Sequence, residues 1–342
     1  MPWWNAQNHA DRRPLLMLRG RIKAGLRAWF GTQGFTEVEC AILQTSPGNE
    51  AHLHAFETEA LTPDGARRLL YLHTSPEFAA KKLLAAGEEK IFEFARVFRN
   101  REQGRLHARE FTMLEWYRVH ADYRAVIADC LTLLKLAAGE AGKPLTYLDR
   151  NCDAYAEAEW LTVGDAFRFH AGVELLDTLS PQGVGNRDML ATRAKRAGLS
   201  VAEDDGWSDI FSKILAARVE PKLGLGKPTI LYEYPRAEAA LARAKPDDPR
   251  LAERFELYAC GVELANGFSE LTEPAEQRAR FMAEMDEKQR VYGNRYPLDE
   301  DFLAALEKMP PAAGVAMGFD RLVMLAAGAP NIDAVLWTPS PI

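Results

Sequence analysis

The chain has 342 residues, with 42 lysines and arginines against 49 aspartates and glutamates, a formal net charge of −7. With 47% hydrophobic and 27% charged residues it can bury a core, which excludes collagen-like and wholly disordered chains. No run approaches the ~18 apolar residues of a membrane span, and the acidity weighs against a non-specific nucleic-acid binder. At roughly 100–200 residues per domain the length allows two domains, or one large domain with insertions. The start MPWWNAQNHADRR lacks the apolar centre of a signal peptide, so the expected location is the cytoplasm. Cys40, Cys130, Cys152 and Cys260 show no C-x-x-C spacing and read as separate reduced thiols.

In chain order, Leu15, Leu18, Ile22, Leu26, Trp29 and Phe30 recur at helical spacing, predicting an amphipathic helix over 14–30. GFTEVECAIL reads as a strand and TSPGNEAH as a loop. RRLLYLH predicts a strand running into a helix with Ser75 as N-cap, Pro76 in its first position, Glu77 in its first turn and Gly87 at its stop. Residues 91–98 and 111–119 read as two strands joined by a long polar loop, and 123–255 is mostly helical in composition. FELYACGVELANGF predicts a strand pair, 274–309 helices, and GVAMGFDRLVMLAAG a strand, turn and helix. Strands arriving as hairpins with helices between them predict an α+β fold, a mostly antiparallel sheet flanked by helices.

Charge is concentrated in three places. Residues 96–118 hold six arginines and three glutamates, bracketed by Phe94, Phe98, Phe111, Trp116 and Tyr117. Arginine's rigid fork of donors suits phosphate oxygens, and such a hairpin can hold a polyphosphate; the competing reading is a solvated loop of internal ion pairs. Residues 256–273 carry Glu256, Glu263, Glu270 and Glu273 without a lysine or arginine. A hairpin centred near Ala259–Cys260 would set Glu256 across from Glu263, a pairing that suits Mg²⁺ bridging to phosphates; the alternative is an exposed helix. Near the C-terminus Gly318 permits a close approach, Asp320 can cap a helix, and Arg321 opposes the helix dipole unless an anion docks there. The P-loop, dinucleotide, zincin and nucleophile-elbow motifs are absent.

FRNREQGRLHAREFTMLEWYR resembles motif 2 of class II aminoacyl-tRNA synthetases, and GVAMGFDRLVML resembles their motif 3. TSPEF, EFTMLEWY and GVELANGFSEL look lysyl-type. A core beginning near residue 14, with no room for an N-terminal anticodon-binding barrel, is similar to the synthetase paralogues that ligate lysine or β-lysine to elongation factor P. The resemblance implies a tail over 1–13 and a catalytic domain over 14–342, with about 125–250 inserted between motifs 2 and 3. It implies ATP and Mg²⁺, an aminoacyl adenylate, transfer to a lysine of elongation factor P, a homodimer, and no anticodon-dependent tRNA binding or membrane partner.

The implied roles follow residue by residue. Arg99 and Arg321 are catalytic: Arg99 holds the α-phosphate and carboxylate, and Arg321 with His107 holds the outer phosphates. Phe111 stacks on adenine, and Asn100, Arg101, Glu102, Leu264 and Gly318 complete the ATP site. Glu256 and Glu263 bind Mg²⁺. Glu77, with Ser75 and Pro76 beside it, meets a substrate amino group. Glu270 and Tyr117 receive the terminal ammonium, with Glu115, Asn266 and Ala316 nearby. This sequence departs from the family at Arg101, where a Glu is usual, at Ala108 in place of Asn, and at Ala41 in place of the motif 1 proline. Ala316 replaces a lysyl-type glycine, which suits the shifted amino group of β-lysine; the competing reading is a neutral packing change. Other acceptors, such as a carrier thiol or small amine, and a non-catalytic regulatory paralogue stay open on the residues alone.

Overall fold

The computed structural model describes residues 2–239 and 241–340. The chain divides into two compact units, one of residues 1–120, 272–312 and 316–342, the other of 121–271 and 313–315.

The first unit opens on a helix that begins at Ala6 and runs to Thr32, so most of the expected 1–13 tail is helical. The cause is a cap: the Asn5 side chain accepts from the amides of Gln7 and Asn8. Residues 6–13 are mostly exposed and carry no apolar period, and Pro14 lies inside the helix rather than at its start. Leu16, Leu18, Ile22, Leu26 and Phe30 form the buried stripe; Phe30 stacks on Phe92 with centroids 4.4 Å apart and meets Trp116 edge-on at 5.5 Å. The predicted strand over 34–43 shortens to Thr36–Glu37 and Leu43–Gln44. Between them the Cys40 amide donates to the Glu93 carboxylate at 3.2 Å instead of to a ladder.

Strand Lys90–Phe98 pairs antiparallel with Glu110–Val119 in unbroken register, from Lys90 opposite Arg118 to Phe98 opposite Glu110. A second, three-stranded sheet holds Phe56–Leu61, Arg67–Leu72 and Leu43–Gln44. Helix Glu77–Ala85 packs Phe78 face to face on Phe302 at 4.2 Å, which ties it to helix Glu300–Leu306. Helices Pro274–Tyr292 and Phe319–Ala327 complete this unit.

The second unit contains helix Tyr123–Ala141, and helices Val163–Ala171, Arg187–Arg196 and Trp207–Ile214 around a core in which Phe167, Phe211 and Trp207 stack. The region read as mostly helical also contains strands Glu159–Thr162, Thr229–Pro235 and Asp248–Ala259. Asp248–Ala259 pairs antiparallel with both Thr229–Pro235 and Val262–Ser269. Cys260 and Gly261, at φ 57° and 69°, make the two-residue turn of the last hairpin. The fold class is α+β, as expected. Among the described residues no helix is long and apolar enough to cross a membrane.

Candidate active site

In the first unit three predicted residues, Ser75, Glu77 and Tyr117, gather around the Glu115 carboxyl. Ser75 Oγ donates to Glu115 Oε2 at 2.7 Å and accepts from the Glu77 amide at 3.1 Å. The helix begins at Glu77 with Pro76 in the cap position, one residue later than expected, so Ser75 is not its N-cap but a hydroxyl just before it that accepts from the Glu77 amide. The Tyr117 hydroxyl donates to Glu115 Oε1. Glu93 lies directly across the ladder from Glu115, like charge opposite like. Burial first, then repulsion from Glu77, pushes the Glu115 carboxyl up to about 8, against the pull of the two hydroxyls. Glu77 has a resident partner that the resemblance does not assign: Lys81, one helical turn on and buried, donates to Glu77 Oε1 at 2.5 Å. The i,i+4 spacing of an acid and a lysine in a predicted helix is the signal that reveals it.

A second group lies along the arginine-rich loop. The Arg99 guanidinium stands 5.5 Å from the Phe111 ring centre, donates to the Thr74 carbonyl and lies 3.8 Å from the Glu102 carboxylate. Arg321, in the first turn of its helix as expected, donates from Nε to the Leu106 carbonyl at 3.2 Å and from its terminal nitrogen to His107 Nε2 at 2.8 Å. A guanidinium has no acceptor, so His107 receives at Nε2 and carries its proton on Nδ1. Gly318 is the N-cap beneath Arg321, and a β-carbon there would meet the arginine stem at 3.5 Å. Ala316, like Phe111, packs against the cluster of Ala95, Val97 and Met113.

Arg101 turns elsewhere. Its φ is +69°, its amide donates to Asn100 Oδ1 at 2.9 Å, and its guanidinium lies 5.5 Å from the centre of the Tyr292 ring. The Asn100 amide donates to the His54 carbonyl. Asp320 is not the helix cap: Gly318 holds that position, and the Asp320 carboxylate is fully buried against Arg19 and the Thr112 amide.

In the second unit the hairpin departs from the expected pairing. Glu256 lies opposite Asn266, and Glu263 opposite Tyr258, because a β-bulge interrupts the ladder between Leu257 and Tyr258. An uninterrupted ladder would put Glu263 on the other face. The extra residue, at Leu264, returns it to the face that carries Glu256, Tyr258 and Asn266. The seven-residue spacing thus yields two carboxylates on one face, two rungs apart rather than opposite. Burial, and next the charge of Glu263, raises the Glu256 carboxyl above the usual range. Arg254 donates to Glu256 Oε1 at 2.8 Å and to Asn266 Oδ1 at 3.1 Å, and the Tyr258 hydroxyl donates to Glu256 Oε2 at 2.6 Å. Arg254 sits two residues before Glu256 in one strand, a same-face signal that sequence reasoning missed. Glu270 is 2% exposed, just past the end of the strand, bridged to Ala242.

Carboxylate oxygens are the hard donors that Mg²⁺ takes one or two of beside phosphate, and here both oxygens of Glu256 are held by Arg254 and Tyr258. Among the described residues no cluster of three or more His, Cys, Asp or Glu side chains forms a cage for a metal.

An antiparallel hairpin carrying motif arginines, a carboxylate hairpin and a Gly-x-Asp-Arg helix start are the parts of a class II synthetase core. The chain matches the family of tRNA synthetases class II (D, K and N) over residues 6–340. It is 38% identical over 329 residues to the "Elongation factor P--(R)-beta-lysine ligase" of Vibrio cholerae, covering 95% of each chain. It is 40% identical to the protein of that name from Vibrio vulnificus, over 96% of each, and 39% identical to that of Haemophilus influenzae Rd, over 93% and 92%. The chain belongs to this family of class II synthetase-type ligases.

Proposed function

We propose that the protein is an ATP-dependent ligase that activates (R)-β-lysine, or lysine, as an aminoacyl adenylate and transfers it to the ε-amino group of a lysine on elongation factor P. The observation that carries this reading is the buried Glu115 carboxyl, held by Ser75 and Tyr117 beside Glu77, in a chain related over about 95% of its length to ligases of that name. A carboxylate-rich, water-poor pocket binds an ammonium better than it binds any neutral side chain.

The substrate carboxylate attacks the α-phosphorus of ATP and pyrophosphate leaves. The neutral acceptor amine then attacks the acyl carbon, losing a proton as AMP departs. Such a reaction needs alignment and charge stabilisation more than covalent help from the protein. In this reading Arg99 holds the α-phosphate and the carboxylate, while Arg321 and the neutral His107 hold the outer phosphates. Phe111 supports adenine, with Asn100, Glu102, Leu264 and Gly318 around it. Arg101, turned toward Tyr292, contributes charge rather than a base contact. Glu256 and Glu263 would hold Mg²⁺, which supplies charge neutralisation for the phosphates. Glu77, Glu115, Tyr117, Asn266 and Glu270 receive the two amino groups of the substrate. The working form is a homodimer located in the cytoplasm, and the acceptor is a protein rather than a tRNA.

ATP–pyrophosphate exchange with (R)-β-lysine and with α-lysine, followed by mass spectrometry of elongation factor P, tests this. Exchange together with one added lysyl group on a single lysine is expected. No exchange with either amino acid overturns the reading, and exchange without modification of the protein transfers the reading to another acceptor.

A further inference from the structure

Behind the two residues assigned above to the nucleotide, a closed ring of buried polar groups joins three elements of the first unit. Asp320 accepts from the Thr112 amide at 2.8 Å and from the Arg19 guanidinium. Arg19 also donates to Thr112 Oγ1 at 3.0 Å, so each of the three residues is bonded to both others. Arg96 adds a second donor to Thr112 Oγ1 at 3.2 Å, and the Arg19 guanidinium lies 4.8 Å from the Phe319 ring centre. Arg19, Thr112 and Asp320 are all buried, and Asp320 has no exposure at all.

The neighbours of this ring give it its meaning. Thr112 follows Phe111 in the strand, so their side chains point to opposite faces. Asp320 precedes Arg321 in the first turn of the helix, and Arg321 reaches the other way, to Leu106 and His107. One carboxylate therefore connects the residue after the aromatic platform to the residue before the phosphate arginine. Its bond to a strand amide also leaves no slack between helix start and strand, because a backbone donor cannot change rotamer.

We propose that Asp320 is a positioning residue for nucleoside triphosphate binding, and that Arg19 and Thr112 complete the brace that fixes Arg321 relative to Phe111. The proposal rests on the assignment of Phe111 and Arg321 to ATP. The rival interpretation is a buried ion pair that only cross-links the fold.

The pair of Michaelis constants in ATP–pyrophosphate exchange separates the two. Asp320→Asn keeps the shape but turns an amide toward one of two donors, opening the ring. We expect KM for ATP to rise about tenfold while KM for the lysine-type substrate stays within about twofold. Thr112→Val, which keeps the amide bond and removes only Oγ1, is milder and serves if the first variant folds poorly; about a threefold rise for ATP is expected. Arg19→Lys should lie closer to wild type than Arg19→Met, since it retains charge and one donor. Folded variants with unchanged KM for ATP, or with both constants rising together, overturn the proposal. Phe111→Ala and Arg321→Ala test the underlying assignment separately: if neither raises KM for ATP, that assignment fails whatever Asp320 does.

Discussion

Glu115 carries a carboxyl whose surroundings favour its protonated form. Its carboxyl is raised from about 4.5 to about 8 by burial and by Glu77, with Glu93 adding to the push. Around it stand Glu77 and Lys81 on helix Glu77–Ala85, Glu93 on the neighbouring strand, Cys40 on the segment before it, and Tyr117 on its own strand. In the free enzyme near neutral pH the carboxyl keeps its proton, and an arriving ammonium favours the ionised form. Binding therefore releases a proton, and affinity for the lysine-type substrate rises as pH climbs from about 6 toward about 8. We expect KM for that substrate to fall across this interval in wild type and to be nearly flat for Glu115→Gln; equal slopes in both would refute the assignment. Glu270→Gln should lower kcat/KM for the lysine-type substrate by about 30- to 5,000-fold, the range for removing one partner of a buried charge pair, and leave KM for ATP unchanged. Normal activation by that variant would move the ammonium site elsewhere. Ala316, like Phe111, packs on the cluster of Ala95, Val97 and Met113. Ala316→Gly should relax discrimination toward α-lysine, and an unaltered ratio of kcat/KM for the two amino acids would make the alanine a packing change only.

At the scale of elements, the two arginine-bearing strands and the helix after Pro76 were legible in sequence, because aromatic alternation and a cap signal each have a fixed period or position. The extension of the first helix to Ala6 was not, since Asn5 and exposed polar residues produce no apolar rhythm. Thr229–Pro235, read within a helical region, is a β-branched and aromatic run that composition over a long window diluted. The hairpin of Glu256 and Glu263 was legible as a hairpin but not in register, because a bulge leaves no mark in residue types. Its consequence can be measured: Glu263→Gln should raise the Mg²⁺ concentration for half-maximal exchange about tenfold. An unchanged Mg²⁺ requirement in Glu263→Gln would remove that carboxylate from the metal site.

For the whole molecule, a net charge of −7 conceals strong local contrasts, with arginines crowded on one hairpin and carboxylates on another. The residues proposed to hold the nucleotide in the first unit show how little of this lies in any one segment: Arg99 and Arg321 stand on elements far apart in sequence. The burial of Glu115, with Glu77 near it and Glu93 across the ladder, then says something about heat rather than catalysis. Above the ordinary carboxylate range, each further unit of pH toward about 8 works against keeping Glu115 folded away, so the free protein loses resistance to melting over that interval. Replacing Glu115 by Gln should make the protein harder to melt at pH 8, by about 2–4 °C for each kcal/mol of relieved desolvation and repulsion, while making it a poorer enzyme. Saturating lysine-type substrate should protect wild type from melting and leave the variant nearly untouched. If Glu115 receives the substrate ammonium as proposed, the same carboxyl that binds the substrate costs the empty protein some resistance to heat, and filling the site restores it.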